Sequence, residues 1–496
     1  MPRLNILFVV SECVPFAKTG GLADVAGALP AALADRGHDV RIVMPRYRVT
    51  KKHPARPLDQ VLVVPVNGLD TYGGVLRAKL PRSPGEVHLP GTAPLPTATV
   101  YFLEHDHLFD RDGVYGDSNG DFGDNLARFT FLSRGALELC RLEGWTPDVV
   151  HVQDWPTSLV PVYLNTLYRD TPLGQAASVL TVHNLAYQGW FGQRDLGVTG
   201  LSWDTYLRGG LERSGGINLL QGGLVHATMV STVSPRYASE IQTRDGGEGM
   251  DGLLRARGDV VGILNGIDED VWNPATDKHL AAHYSVKDMS GKARCKAALQ
   301  REMGLPERPD VPLIGLVSRL VKQKGIDVFA EALDRLLAED VQVVVLGSGE
   351  SWAEGLFGRL SRSTRHFRAY IGMNEPLSHR IEAGADLFVM PSRYEPCGLN
   401  QMYSQRYGTL PVVRAVGGLD DTVDNHVTGF KFEELSASAL AQCVEWALHV
   451  YRHEPEHFRA MQQRAMRKPQ GWAHASRQYE AMFRLAMSRR KADLRR

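Results

Sequence analysis

The chain of 496 residues exceeds the length at which a single hydrophobic core stops growing, so two domains of about 200 to 260 residues each are expected. Lysine plus arginine balances aspartate plus glutamate, 56 against 56, which excludes a global field that would gather nucleic acid, an anionic membrane or an acidic polymer; a neutral substrate fits. The five cysteines (Cys13, Cys140, Cys295, Cys397 and Cys443) are odd in number and form no C-x-x-C pair, as expected of reduced cytosolic thiols rather than a disulfide framework.

The first apolar run, 4–10, is too short for a signal segment or a membrane span and reads as a buried strand. No other stretch approaches the roughly eighteen uncharged residues a spanning helix needs, so a soluble, cytoplasmic protein is expected. Short Val/Ile/Leu runs at 4–10, 40–44, 149–152, 178–182 and 228–232 alternate with longer amphipathic stretches. This is the rhythm of a parallel, doubly wound α/β sheet. It restarts at 313–317, 341–346, 368–372, 386–390 and 411–414, which predicts a second Rossmann-like domain. The boundary is placed at the turn Asn265-Gly266-Ile267-Asp268, ahead of an irregular connection through Trp272-Asn273-Pro274. That gives domains at 1–266 and 267–471. The stretch 472–496 has helical spacing (Tyr479, Met482, Phe483, Leu485, Ala486) and ends in a basic tail expected to be solvated. Segments 83–98 and 245–252, rich in Pro or Gly, are expected to be mobile loops.

In open α/β sheets, ligands sit beyond the carboxyl ends of the strands, and the residues after each apolar run are chemically dense here. After the first run comes Lys18-Thr19-Gly20-Gly21-Leu22-Ala23-Asp24, where paired glycines let backbone and a helix N-terminus approach a diphosphate and Lys18 adds a point charge. After the third comes His151-Val152-Gln153-Asp154-Trp155, a carboxylate and an aromatic face suited to a pyranose; a capping Asp beside a core Trp is the plainer reading. After the fourth comes His183-Asn184, and a lone strand-end histidine is more often structural than catalytic. In the second half, Arg319 and Lys324 sit five apart across a strand-to-helix turn and can converge on one diphosphate. Glu395-Pro396-Cys397-Gly398-Leu399 opens a predicted helix at Asn400, with Glu395 aimed across the interdomain space and free N–H groups around Gly398 for an outer phosphate. A further glycine turn, Gly417-Gly418, lies near the same face.

Competing motifs fail. Gly347-Ser348-Gly349 has Trp352 in place of the third glycine of a dinucleotide fingerprint, and there is no P-loop, G-x-S-x-G or H-E-x-x-H. The calcium-loop-like start at Asp117 has Phe122 where glycine is needed and Arg128 where a bidentate glutamate belongs, so no metal site is indicated.

The Lys18-Thr-Gly-Gly-Leu and Glu395-Pro-Cys-Gly-Leu strings, in this order with the motifs between them, resemble the bacterial glycogen synthases and plant starch synthases, from Lys18 to the turn at 417. The resemblance implies an α/β fold of the GT-B type, with two Rossmann-like doubly wound domains facing a deep cleft and the C-terminal helix crossing back to the first domain. The first domain would carry the acceptor side and the second the nucleotide sugar. It implies a retaining hexosyltransferase that moves glucose from ADP-glucose to the non-reducing end of glycogen or another α-1,4-glucan without cofactor or metal. By that likeness Lys18, Arg319 and Lys324 bind the diphosphate, Glu395 and His183 orient the glucose, and Asp154, Trp155, Asn184 and Asn265 complete sugar and acceptor contacts. Gly20, Gly21, Asp24, Cys397, Gly398, Leu399, Asn400 and Met373 line the donor.

Two departures stand out. Met373 occupies a place where related enzymes often carry an aromatic residue stacked on adenine, which leaves UDP-glucose open as an alternative donor. Asn400 stands where others often carry threonine, and is expected still to cap and donate. A sugar-nucleotide epimerase or a phosphorylase are rival readings that do not account for both strings together, and the intact Lys18, His183, Arg319, Lys324 and Glu395 argue against a non-catalytic glucan-binding scaffold.

Overall fold

The computed structural model describes residues 2–81 and 97–495. Positions 83–96 of the loop expected at 83–98, and Arg496 of the basic tail, lie outside the described residues.

The apolar runs form strands because β-branched residues buried on both faces suit parallel sheets covered by helices. In the first sheet these are β1 (Asn5–Val9), β2 (Asp39–Pro45), β3 (Leu69–Lys79), β4 (Thr99–Glu104), β5 (Val149–Gln153), β6 (Ala177–Val182), β7 (Met229–Thr232) and β8 (Val260–Gly262). Every residue of β5 and β6 is buried. The spatial order of these eight is β8-β7-β6-β5-β1-β2-β4-β3, all parallel except β3 against β4, and two short strands, Arg56–Pro57 and Leu62–Val66, pair antiparallel with β3 to complete a sheet of ten. From β1 the chain builds outward through β2 and β4, then returns to the other side of β1 with β5. The strand order therefore reverses between β1 and β5, where a crevice opens.

The second sheet holds β9 (Leu313–Val317), β10 (Gln342–Gly347), β11 (Phe367–Ile371), β12 (Leu387–Met390), β13 (Leu410–Arg414) and β14 (Phe430–Phe432). Its order is β11-β10-β9-β12-β13-β14, all parallel, with the reversal between β9 and β12. Two Rossmann-like sheets thus each have a crevice, and the motif residues follow the strands that border it.

The two halves are joined at adjacent crossings. Ile267 pairs with Gly471 in a parallel bridge, and Ile267 N–H donates to Gln470 O at 2.8 Å. The irregular connection that follows is anchored rather than free: Trp272 is stacked between His379 and Tyr403, with ring centroids 3.8 and 3.7 Å away.

The last helix, Trp472–Asp493, returns to the first sheet, where Tyr479 and Phe483 close over His151 of β5. Glu480, buried, pairs with Arg36 and Arg484, and these cations hold its carboxyl at about 2, below the usual range, against the opposing effect of burial. The basic tail is solvated only in part: Lys491 and Arg495 are exposed as expected, but the two arginines before them are not. Arg490 is buried and donates to Gly174 O and Asn165 Oδ1, while Arg489 pairs with Asp259 at 2.6 Å. Orphaned carbonyls of the first domain draw the arginines inward, a demand invisible along the chain. Phe483 is fully buried against this interface, so Phe483→Ala is expected to destabilise the protein by about 3–5 kcal/mol, seen as a lowered midpoint in equilibrium urea unfolding.

Candidate active site

The glycine pair after β1 is held by a residue that the motif reading passed over. Glu12, buried, accepts from Thr19 N–H at 2.5 Å, Thr19 Oγ1 at 2.9 Å and Gly20 N–H at 3.1 Å; the Tyr115 hydroxyl donates to its other oxygen at 3.1 Å. Burial pushes its carboxyl up, and the amides and hydroxyls pull it back down. The Gly20 amide, part of the glycine pair read as approaching a diphosphate, is thus already engaged. The first turn of the helix Gly21–Asp35 remains, and its positive end faces the crevice. Lys18 is exposed and pairs with Asp24 at 2.7 Å. The only sequence hint of Glu12 was its position in Ser11-Glu12-Cys13, directly after a strand.

After β5, Asp154 adopts φ 54°, rare for a non-glycine residue, which turns its carboxylate back under the neighbouring strand end. Its Oδ1 accepts from His183 N–H at 2.6 Å and Asn184 N–H at 3.4 Å. Burial pushes Asp154 up to about 7; the two amides act against that shift, and the Glu12 charge adds to it. Asp154 therefore acts on the His183-Asn184 backbone. Trp155 packs edge-on against Phe129 with centroids 4.9 Å apart.

His183 Nε2 lies 2.8 Å from Gln153 Oε1, an acceptor only, so Nε2 carries the proton and Nδ1 is left as an acceptor. Burial lowers its pKa to about 3, which keeps the ring neutral at physiological pH. His151, two strand positions before Gln153, is a core residue bonded to Thr181.

In the second domain, Lys324 Nζ contacts Glu395 Oε2 at 2.5 Å, and Ser392 Oγ donates to the same oxygen at 3.2 Å. Both loops can meet because the backbone is bare where it crosses. A side chain at Gly325 (φ +66) would come within 1.9 Å of Pro391 O, and one at Gly417 (φ +44) within 2.0 Å of Glu395 O. Arg319 is exposed, with Nη2 donating to Gln323 Oε1 at 3.2 Å. Gly347 follows the same logic, since a Cβ there would meet Ser318 O at 1.9 Å.

Around the Glu395 string, Cys397 is buried and its thiol is pushed up to about 12, so it is a packing residue, with Asn265 hydrogen-bonded to it. Asn265 Oδ1 is buried without a protein partner. Gly398 takes a left-handed φ of +70. The helix Asn400–Arg406 does begin at Asn400, but Asn400 does not cap it. Its Nδ2 donates instead to Val317 O at 2.7 Å, tying the helix to the end of β9. The open carbonyl at that strand end outcompetes the cap. Met373 is 91% exposed, just ahead of Asn374, which caps the next helix by accepting from Leu377 N–H at 3.0 Å.

The two sets of residues face one another. A Cβ on Gly21 would lie 4.0 Å from Leu399 Cδ1, and Tyr394 stands near Asn184 across the divide. Glu240 of the first domain accepts from Gly417 N–H at 3.1 Å, and Asp421 accepts from Arg236 N–H at 2.8 Å. Lys18, Arg319 and Lys324 border the two crevices, so three cations are available for an anionic leaving group beside one buried carboxylate and one neutral imidazole. Among the described residues, no group of three or more His, Cys, Asp or Glu side chains could hold a metal ion, and no helix is long and apolar enough to cross a membrane.

Two Rossmann-like domains, each with a cation after the strand at its switch point, have the architecture of a glycosyltransferase of the GT-B class. Comparison with known proteins makes this specific. Residues 5–256 match the starch synthase catalytic domain and residues 302–467 match the group 1 glycosyl transferases. The chain is 52% identical to glycogen synthase 1 of Geobacter sulfurreducens, over 99% of this chain and 98% of that protein. It is 49% identical to a glycogen synthase of Anaeromyxobacter, over 97% and 99%. Among solved structures, it is similar to the catalytic domain of starch synthase IV from Arabidopsis thaliana bound to ADP and acarbose, with a TM-score of 0.88 at 32% identity, covering 98% of this chain and 100% of that one. The chain belongs to the glycogen and starch synthase family, and it is a hexosyltransferase.

The elevated Asp154 has a measurable consequence. Its folded pKa lies above the unfolded value, so its stabilising contribution is complete below about pH 4 and is lost as pH rises through about 7. The unfolding free energy of the wild type minus that of Asp154→Asn is expected to fall between about pH 4 and 7 and to level off above; a difference flat in pH contradicts the assignment.

Proposed function

We propose that the protein extends an α-1,4-glucan, transferring glucose from ADP-glucose to the non-reducing end with retention of configuration, in the cytoplasm and without a metal. The observation that carries this is the Lys324–Glu395 contact at 2.5 Å, set opposite the glycine pair of the first domain. Support comes from full-length likeness to proteins named glycogen synthase, and from a starch synthase structure described as bound to ADP and acarbose.

In this reading Lys18, Arg319 and Lys324 take the charge that develops on the departing diphosphate. Preorganised cations do this without reorganisation at the moment of reaction. Glu395 lies beside them and offsets positive charge on the sugar ring. Neutral His183 presents an uncharged nitrogen to the glucose, and Asp154 fixes it through the backbone. Asn184, Asn265 and Trp155 complete the sugar surroundings, and Gly20, Gly21, Asp24, Gly398 and Leu399 line the donor. Cys397 and Asn400 support the loop from within. Glu395 is already bonded to Lys324 and Ser392, which fits an electrostatic partner better than a free nucleophile. A same-face displacement follows, in which the leaving phosphate oxygen takes the acceptor hydroxyl proton as the new bond forms. The first domain would hold the acceptor and the second the nucleotide sugar.

The exposed Met373 favours a second reading for the base alone, with UDP-glucose as donor, because a lone thioether discriminates less between rings than a stacked aromatic would.

Transfer of labelled glucose to glycogen from ADP-glucose and UDP-glucose, with and without EDTA, tests the proposal. EDTA-insensitive transfer from ADP-glucose is expected; absence of transfer from both donors refutes it. Lys324→Ala should lower kcat by roughly 10² to 10³. Glu395→Ala should be nearly inactive with an unchanged circular dichroism spectrum, and wild-type turnover in that variant would remove Glu395 from the mechanism.

A further inference from the structure

On the helix Asn125–Leu142, Arg128 is fully buried and has no ion-pair partner among the described residues. Asp124, the carboxylate beside it, is taken by Arg111 at 2.7 Å. The guanidinium is surrounded instead by the rings of Phe122, Phe129, Phe109 and Tyr47, with centroids 4.8 to 5.9 Å from Cζ. These aromatic faces offset part of the penalty for taking a cation out of water. Burial still lowers its pKa, and packing alone would be better served by an apolar side chain of similar volume. What an apolar residue cannot do is bridge.

The Arg128 fork does bridge. Its Nε donates to Leu108 O at 2.7 Å, and its Nη1 to Val114 O at 2.9 Å and to Asn125 Oδ1 at 2.6 Å. Asn125, also buried, extends the contact, with Nδ2 donating to Tyr115 O at 2.8 Å. The carbonyls of 108, 114 and 115, all in one irregular stretch, are thus held from a single helix end. That stretch bends at Gly113 (φ +90), where a Cβ would come within 2.0 Å of Gly116 O. Tyr115 stands at the end of this clamp, its hydroxyl 2.8 Å from Ser11 Oγ and donating to Glu12 Oε1 at 3.1 Å. Glu12 in turn holds the Thr19 and Gly20 amides. A continuous line of hydrogen bonds and backbone therefore runs from the buried fork of Arg128 to the glycine turn of the first domain.

We propose that Arg128 and Asn125 are positioning residues for the transfer reaction, setting through Tyr115 and Glu12 the pose of the glycine turn that faces the donor diphosphate. The assignment rests on the donor reading above for what the turn binds, and on the hydrogen bonds alone for what holds it. A planar guanidinium fixes the directions of its acceptors, whereas a lysine head carries the same charge as a point. With the line broken, Glu12 loses its tether and the two amides lose a fixed acceptor. A turn free to sample other poses binds its ligand more weakly without changing how the bound ligand reacts.

The test uses the full chain as wild type, Asn125→Asp and Arg128→Lys, with steady-state kinetics, calorimetric binding of ADP, and hydrogen exchange of the peptide carrying Thr19 and Gly20. Asn125→Asp keeps the acceptor for Arg128 and removes the donor to Tyr115. It is expected to raise the KM for ADP-glucose and the Kd for ADP about tenfold, with kcat and the glycogen KM within about twofold. The Thr19 and Gly20 amides should lose protection while the helix at 125–142 stays protected. Arg128→Lys, which retains the charge, should show the same pattern. An unchanged donor KM in Asn125→Asp, with or without a loss of stability, makes the network structural only and overturns the proposal. A wild-type donor KM in Arg128→Lys overturns it too, since charge and not the fork would then suffice. If Arg128→Lys does not fold, Asn125→Asp decides alone. If the wild type binds neither ADP nor UDP, the donor reading falls; exchange then decides what holds the turn, with lost protection in Asn125→Asp supporting the line and unchanged protection refuting it.

Discussion

The contact between Lys324 and Glu395 is the constraint around which the second domain is arranged. The Glu395 side chain is only 6% exposed, and a carboxylate so far from water is tolerated only with a cation and hydrogen bonds to compensate. Lys324 and Ser392 supply them. The pair can exist because strand order reverses between β9 and β12, which brings two loops distant in sequence to one crevice. It also requires glycine at 325 and 417, where any side chain would strike the carbonyls of Pro391 and Glu395.

The first domain repeats the design with a different sign. Its switch point, between β1 and β5, is organised by two acids, buried Glu12 and half-buried Asp154, which hold backbone amides instead of a cation. Their combined effect is to fix the glycine turn and the His183-Asn184 backbone as rigid surfaces. Cations on one side and positioned amides and imidazole on the other give a charged site inside a chain of no net charge. The domains meet through polar contacts that include Glu240 to Gly417 and Asp421 to Arg236, and are joined at adjacent crossings near Ile267 and Gly471.

The strands and the strand-end motifs were legible in the sequence for one physical reason. Strands buried on both faces must be apolar throughout, and parallel topology sends their carboxyl ends to a common edge. Residues whose role depends on a partner remote in the chain were not legible. Glu12 needed Thr19, Gly20 and Tyr115 folded around it. Asn400 looked like a cap until the carbonyl of Val317, 83 positions earlier, proved the stronger claim on its amide. Arg490 read as tail charge because the carbonyl of Gly174 that buries it lies more than three hundred residues away. The loop at 245–252 looked mobile from its glycines, yet Gln188 and Arg213, which donate to the Glu248 and Gly249 carbonyls, pin it from another part of the domain.

The central claim is that glucose is transferred with its anomeric configuration retained, with Glu395 as a charge partner rather than a base on the opposite face of the ring. The anomeric configuration of the newly formed linkage tests it most directly, read by proton NMR on maltooligosaccharide product made from ADP-α-glucose before any further elongation. The account predicts an α-1,4 linkage. A β linkage would contradict it, since inversion requires a base on the opposite face of the ring and a different role for Glu395.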